Sequence, residues 1–123
     1  MTDVLELFSG IGVIIDDAFG HKSDDIVYKI KNSFDKENIP ILTFNTLPAL
    51  SMVRHFNSVS FIILDWNLTE APSIPEVVVQ DNIEFIREVN SYAYLPFFIF
   101  SNEAPEDIIL KLKDANIYSK NIF

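Results

Sequence analysis

Predicted β-strands alternate along this chain with longer amphipathic stretches, and this order constrains the fold more than any other feature. The predicted strands lie at residues 11–15, 41–44, 61–64, 96–100 and 116–120. Apolar residues recur at helical spacing over residues 24–36, 47–56 and 76–91, and from Pro105 onward. Strands with continuous apolar runs are buried on both faces, as in a parallel sheet covered by helices. The pattern predicts an α/β fold: a doubly wound, five-stranded parallel sheet of order 2-1-3-4-5.

Length and charge narrow the class of protein. The 123 residues are enough for one domain with a core, and we expect a single domain over residues 1–123. The formal net charge of -9 argues against direct binding to nucleic acid. The chain has no cysteine, which excludes disulfides and thiolate ligands. It has no basic signal segment and no apolar run long enough for a bilayer, so we expect a cytoplasmic protein without membrane contact.

Polar side chains follow the predicted strands at the points where ligands bind in such sheets. Asp16 and Asp17 follow the first strand, Asp65 ends the third, Ser101 follows the fourth and Lys120 ends the fifth. The carboxyl ends of parallel strands share one edge, and strands one and three are neighbours in this order. The sequence therefore predicts that three carboxylates converge, with a hydroxyl and an ammonium on the other side of Asp65.

Three carboxylates at one site repel one another unless a cation neutralises them. Oxygen ligands without histidine or cysteine suit Mg²⁺. The predicted site would hold a phosphoryl group on a carboxylate. In it, Asp65 is the nucleophile, Asp16 and Asp17 hold the metal, and Lys120 stabilises the transferring charge. The Ser101 hydroxyl donates a hydrogen bond to the bound anion.

The ordered segments IIDDA, IILDWN, FFIFS and YSK resemble the receiver domain of bacterial two-component response regulators. The resemblance covers about residues 11–123 and implies a flavodoxin-like fold. It implies that Asp65 is the phosphoacceptor and that Asp16 and Asp17 bind Mg²⁺. It also implies that the backbone carbonyl of Asn67 ligates the metal.

The same resemblance assigns roles around the phosphoryl group and shows where this chain departs from the family. Ser101 is similar to the switch hydroxyl, Lys120 to the family's lysine, and Glu103 occupies a position near the phosphoryl site. Departures from the usual family residues occur at Leu68, Thr69, Asn102, Ile117 and Asn121. The family's aromatic switch residue usually lies three positions before the lysine, where this chain has Ile117 with Tyr118 beside it. Metal binding and phosphorylation therefore stay as expectations, and the usual switch relay is in doubt.

The resemblance implies a signalling domain rather than an enzyme that turns over a substrate. Its expected partners are a histidine kinase or phosphotransfer protein, an attached or separate output domain, and a second copy in a homodimer. No helical pattern follows Lys120, so the predicted sheet lacks its last helix. We therefore expect the chain to be the N-terminal part of a longer protein.

Other interpretations of the same residues stay open. The domain is also interpretable as a degenerate receiver that binds partners without phosphorylation. A phosphohydrolase of the haloacid dehalogenase type needs a second acid two residues after the nucleophile, where this chain has Asn67. A flavodoxin-like cofactor carrier needs a phosphate loop after strand one, where acids stand instead.

Single residues also have ordinary structural interpretations. Asp16 and Asp17 are common turn formers, Ser101 is interpretable as a helix cap, and Lys120 as a solvated residue near the end of the sequence. Trp66 is predicted to be a partly exposed packing residue.

Overall fold

The computed structural model describes residues 11–17, 26–68, 74–101 and 103–123, and strands alternate with helices there. Their bounds are β1 (Ile11–Ile15), α1 (Ile26–Lys36), β2 (Ile41–Phe44), α2 (Leu50–Val53), a 3-10 helix (Phe56–Ser58), β3 (Val59–Asp65), α3 (Glu76–Tyr92), β4 (Phe97–Phe100) and α4 (Pro105–Asp114). The first four predicted strands are confirmed to within two residues, as are α1, α3 and the start of α4. The first two residues predicted for α1, and its predicted cap, lie outside the described ranges.

The four strands form one parallel sheet of order β2-β1-β3-β4. The register pairs Ile15 of β1 with Phe44 on one side and with Leu64 on the other. Asp65 at the end of β3 pairs with Phe100 at the end of β4. The carboxyl ends of all four strands therefore lie along one edge of the sheet, which we call the carboxyl edge. The predicted order is confirmed for these four strands.

Helices cover both faces of the sheet, because successive strand residues point to opposite sides. Val13 and Ile15 of β1 belong to the larger buried cluster, which includes the inward residues of α2, α3 and α4. Ile14, which lies between them, belongs to a smaller cluster with Val27 of α1. This two-sided burial explains why the strands are apolar at consecutive positions instead of at alternate ones.

The helices of the described ranges are short or amphipathic. The longest of them is α3, with 17 residues, and charged side chains such as Glu84 and Arg87 lie on its exposed face. Within these ranges, none of the helices has the length and apolar character that crossing a bilayer requires.

Gly12 lies in β1 at a point where an aromatic ring crosses its backbone. A Cβ atom built at Gly12 would lie 2.1 Å from Cζ of Phe61, which belongs to the neighbouring strand β3. The Phe61 ring is fully buried, and its centroid lies 5.1 Å from that of Phe34. The ring therefore has little room to move away, and this close approach requires a glycine.

We expect Gly12→Ala to lower the free energy of unfolding by about 1–3 kcal/mol, because the added methyl group overpacks the space that the Phe61 ring fills. Chemical denaturation of the two proteins measures this loss. In a Phe61→Leu background the same alanine should cost less, since the ring that it meets is gone. Equal losses in both backgrounds would show that the strain lies elsewhere.

The helix predicted over residues 47–56 is shorter in the structure. It begins at Leu50 with Ala49 at its N-cap, where no side chain caps it, so neither Asn45 nor Thr46 has the predicted role. Pro48 disfavours helical geometry in Leu47, the residue before it. Ala49 is extended, with ψ 142°, so the helix starts only after it. After Val53 the chain turns and continues as the 3-10 helix.

The fifth strand predicted at residues 116–120 is wrong in its position. After α4, Asn116 adopts a left-handed conformation with φ 61°. The N–H of Asn116 donates to Lys113 O at 2.9 Å, and the N–H of Ile117 donates to Leu112 O at 3.0 Å. These two bonds form a Schellman motif, so this part of the predicted strand instead ends the helix.

Pairing with β4 begins only after this turn. The carbonyl of Asn121 accepts from Phe97 N–H at 2.7 Å, and Phe123 N–H donates to Phe97 O at 2.8 Å. Ile122 forms a single parallel bridge with Phe97. Residues 121–123 therefore lie beside β4 at the place expected for a fifth strand, but they form an isolated bridge and the sheet has four strands.

Candidate metal centre

Three aspartates meet at the carboxyl edge. Asp16 directly follows β1, and its N–H donates to Phe44 O at 3.0 Å, which extends the pairing with β2. Asp65 is the last residue of β3. One carboxylate oxygen each from Asp16, Asp17 and Asp65 lies within 4.8 Å of the other two. The predicted convergence of these three carboxylates is confirmed, and we call them the acidic cluster.

Without a cation, the acidic cluster favours the neutral form of Asp65. The pKa of the Asp65 carboxyl rises from 3.8 to about 8. Burial is the main cause, since it disfavours the charged form, and the negative charge of Asp16 adds to it. A side-chain hydrogen bond with Asp17 and the charge of Asp17 raise the pKa further. Only the N–H of Asn67, which donates to Asp65 Oδ1 at 3.3 Å, acts in the opposite direction.

The donor atoms of the acidic cluster fit a hard divalent cation. All three are partly buried carboxylates, which are the ligands that Mg²⁺ and Ca²⁺ take in proteins. Two oxygens on opposite sides of one Mg²⁺ lie about 4.2 Å apart, which is twice the usual bond length. Oxygens within 4.8 Å of one another therefore need little movement to share an ion. The acidic cluster can thus hold a metal ion, and both cations fit its chemistry.

Trp66 secures the loop that follows Asp65. Its N–H donates to Phe100 O at 2.9 Å, so the pairing of β3 with β4 extends one residue past Asp65. Its side chain is fully buried in the larger cluster, and the prediction of a partly exposed Trp66 is wrong. A buried indole directly after the nucleophile candidate restricts the backbone at Asp65 and Asn67.

Asn82 of α3 contacts this loop and was not among the sequence-predicted site residues. It is fully buried, and its Nδ2 donates to Trp66 O at 2.6 Å. A signal for it does exist in the sequence, because Asn82 stands among Val79, Ile83 and Ile86 on the inward stripe of α3. A polar residue on such a stripe needs a buried hydrogen-bond partner.

Ser101 lies at the carboxyl edge, as predicted. It directly follows Phe100, the residue that pairs with Asp65. It is exposed, and its Oγ accepts a hydrogen bond from the N–H of Glu103 at 2.8 Å. The alternative role of Ser101 as a helix cap is not seen, since Ala104 is the N-cap of α4. Glu103 in turn accepts from Ile74 N–H at 3.4 Å, across to the segment before α3.

Lys120 lies at the opposite edge of the sheet from the acidic cluster, so its predicted position beside Asp65 is wrong. Ile122 pairs with Phe97, the first residue of β4, whereas Asp65 pairs with Phe100, the last. Lys120 precedes Ile122 by two residues. Parallel pairing therefore separates the levels of Ile122 and Asp65 by three strand residues, or about 10 Å, and the turn that contains Lys120 comes before Ile122. Lys120 is exposed in a turn there.

The other positions noted from the resemblance have ordinary structural surroundings where they are described. Ile117 packs against the larger cluster. Tyr118 is 41% exposed, and Lys113 Nζ lies 5.5 Å from its ring centroid. Asn121 is buried, and its Nδ2 donates to Leu95 O at 2.8 Å. Thr69 and Asn102 lie outside the described ranges.

Comparison with known proteins supports the fold alone. No family model and no curated protein sequence matches this chain. Eight chains of solved structures match it. One is a fusion that carries the yeast Spc42 trimeric coiled coil, amino acids 181–211, joined to another structure. It is 15% identical with a TM-score of 0.58, and the match covers 87% of this chain but only 63% of that one. The protein is therefore a flavodoxin-like α/β domain with an acidic cluster at the carboxyl edge of its sheet.

Proposed function

We propose that this chain is a receiver-like phosphoacceptor domain in which a divalent cation, Mg²⁺ above all, enables phosphorylation of Asp65. The observation that carries the proposal is the acidic cluster: three carboxylate oxygens within 4.8 Å, contributed by the ends of two neighbouring strands. The order of the segments IIDDA, IILDWN and FFIFS supports it. Asp16, Asp17 and Asp65 would hold the ion, together with the carbonyl of Asn67.

The charge state of Asp65 explains why a cation belongs to this proposal. A carboxyl group with a pKa of about 8 is mostly protonated at neutral pH and is then a poor nucleophile. A bound divalent ion supplies the positive charge that keeps Asp65 ionised and neutralises an incoming phosphoryl group. An Asp65 carboxylate oxygen then attacks phosphorus, and the P–N bond of a phosphohistidine donor breaks as the O–P bond forms. The released imidazole takes a proton from solvent.

The position of Ser101 supports a role for its hydroxyl as a contact to the phosphoryl group. It follows the strand that pairs with Asp65, and its hydroxyl is exposed at the carboxyl edge. Its Oγ accepts from Glu103 N–H, which leaves the hydroxyl proton available as a donor to an anion. The proposed donor of the phosphoryl group is a histidine kinase or phosphotransfer protein, and the phosphorylated edge would regulate an output domain.

The position of Lys120 favours a second candidate function. The phosphoacceptor chemistry uses a cationic side chain opposite Asp65, in addition to the metal ion, and Lys120 lies at the other edge of the sheet. A receiver-like domain that lacks this cationic side chain would act as an interaction module whose partners bind without phosphorylation. The two functions differ in one property: partner binding by an interaction module is indifferent to Asp65→Ala.

Trp66 provides a reporter for the test, because its buried ring directly follows Asp65. We expect the fluorescence of the native protein to change on titration with Mg²⁺ and again on addition of beryllofluoride. Acetyl phosphate that carries a radiolabel should transfer it to the protein only when Mg²⁺ is present. Asp65→Ala should abolish both spectral responses and the labelling.

Asp81→Ala is the matched control, since it removes one exposed acid from α3 and leaves the acidic cluster intact. It should respond as the native protein does. A native protein that binds Mg²⁺ but accepts no phosphoryl group would support the interaction module. A native protein that shows no response to Mg²⁺ would contradict the proposed metal centre itself.

A further inference from the structure

Asn82 is a buried amide whose hydrogen bonding is only half complete. Its side chain has no exposed surface, and Nδ2 donates to the carbonyl of Trp66 at 2.6 Å. In the described part of the chain, no group donates a hydrogen bond to its Oδ1. Burying an amide oxygen without a partner is unfavourable, and a leucine of similar size would avoid that penalty. The side chain of Asn82 is therefore explained by what its N–H group holds.

The group that it holds connects directly to Asp65. The carbonyl of Trp66 and the N–H of Asn67 belong to one planar peptide unit. That N–H donates to Asp65 Oδ1 at 3.3 Å. Because the peptide is planar, fixing the direction of the carbonyl also fixes the direction of the N–H. A continuous path of two hydrogen bonds and one peptide unit thus leads from Asn82 on α3 to the Asp65 carboxylate.

We propose that Asn82 is a positioning residue for the acidic cluster: its amide holds the peptide between Trp66 and Asn67 so that the Asn67 N–H faces the Asp65 carboxylate. The carbonyl of Asn67, which is the predicted backbone ligand, belongs to the next peptide unit along the chain. Hydrogen bonds in such a chain also polarise one another, so the bond to Trp66 O strengthens the Asn67 N–H as a donor. This inference rests on the proposed cation site for its effect on metal binding, but its geometry exists without a cation.

Asn121 offers a matched control for a test of this role. It is a buried asparagine whose Nδ2 donates to a backbone carbonyl, that of Leu95, at 2.8 Å. It precedes Ile122, which pairs with the first residue of β4, so it lies at the edge of the sheet opposite the acidic cluster. Asn82→Leu and Asn121→Leu each remove a buried hydrogen bond from a side-chain amide to a backbone carbonyl, and only the first removes the clamp on the Asp65 loop. Asn121 also bonds to Asn90 Oδ1 and Ser119 Oγ, so its replacement removes more hydrogen bonds than that of Asn82.

The first measurement uses the ion-free protein and proton–nitrogen NMR spectra. In Asn82→Leu, we expect the amide signal of Asn67 to move and its hydrogen exchange to become faster, because the peptide is no longer held. The second measurement is a Mg²⁺ titration. We expect Asn82→Leu to weaken Mg²⁺ binding by about 10–100-fold, the range typical of groups that orient metal ligands. Asn121→Leu should leave the Asn67 amide and the Mg²⁺ affinity unchanged, whatever its effect on stability.

The outcomes separate this inference from the proposed function. An Asn67 amide that is unaltered in Asn82→Leu would overturn the positioning role, even if Mg²⁺ binds. An altered Asn67 amide in a protein whose native form binds no Mg²⁺ would support the positioning role and contradict the metal centre. If Asn82→Leu does not fold, a measurement on the native protein still tests the positioning role. A scalar coupling across the hydrogen bond from the Asn82 side-chain nitrogen to the Trp66 carbonyl carbon is expected, and its absence would overturn the inference.

Discussion

Replacing Asp65 with asparagine is expected to stabilise the ion-free protein at about pH 8 and to abolish its stabilisation by Mg²⁺. The pKa of Asp65 is about 8 in the folded protein against an ordinary value of 3.8, so the unfolded chain releases this proton first. The unfolded state therefore binds fewer protons between about pH 4 and pH 8, and native stability falls as the pH rises through that range. Asparagine does not titrate, so the fall should be smaller in the variant.

Near pH 8, we expect the free energy of unfolding of the ion-free variant to exceed that of the native protein by about 1–2 kcal/mol. The difference is this small because solvent and salt screen the partly buried acids. With Mg²⁺ at 100 times its dissociation constant, the native protein should gain about 2.7 kcal/mol and the variant almost nothing. Urea unfolding at several pH values, with and without Mg²⁺, measures both effects. The control Asp81→Asn makes the same change of charge on the exposed side of α3. Parallel pH curves for native protein and Asp65→Asn would refute the raised pKa.

Trp66→Ala is expected to cost about 3–5 kcal/mol of unfolding free energy, the largest loss of any single substitution proposed for this chain. Trp66 is the largest of the fully buried side chains and packs in the cluster between the sheet and α2, α3 and α4. Its removal leaves a cavity that the surrounding rings cannot fill. Domains of this size have a total stability of about 5–15 kcal/mol, so the variant would be partly unfolded at moderate temperature.

Far-ultraviolet circular dichroism during urea unfolding is the suitable measurement, because Trp66 is the chain's one tryptophan and its fluorescence is lost in the variant. Trp66→Phe keeps most of the buried volume and should cost clearly less than the alanine. Tyr94→Ala removes an aromatic side chain that is 67% exposed, and it should change stability by less than about 0.5 kcal/mol. A loss at Trp66 as small as that at Tyr94 would mean that the indole is not part of the core.

The acidic cluster was predictable because it depends on two local rules. Continuous apolar runs identify β1 and β3 as buried parallel strands, and Asp16 and Asp65 come directly at their carboxyl ends. In the doubly wound order 2-1-3-4-5 these strands are neighbours in the sheet. The polar residues at their ends then meet without any knowledge of side-chain packing, and the structure brings Asp17 into the same group.

The position of Lys120 was not predictable by the same rules, because the last strand position depends on how α4 ends. Asn116 takes a left-handed conformation and closes a Schellman motif with Ile117, so the chain reaches β4 later than its pattern of residues indicates. The same arrangement ends α1, where Asn38 has φ 59° and Ile39 N–H donates to Phe34 O at 3.0 Å. An Asn–Ile pair, which follows both α1 and α4, was the available signal.

Local patterns, together with the doubly wound order of a flavodoxin-like sheet, were sufficient for the alternation of strands and helices, the order of the four paired strands and the meeting of three aspartates. The alternation follows from side-chain periodicity, and the meeting follows from the strand order and the parallel direction of the strands. Tertiary structure alone decided that Trp66 is buried, that Asn82 reaches the loop after Asp65, and that Lys120 lies at the far edge. These three depend on which distant segments pack together and in what register. Their free energy comes from contacts between residues far apart in the chain, which no local pattern records.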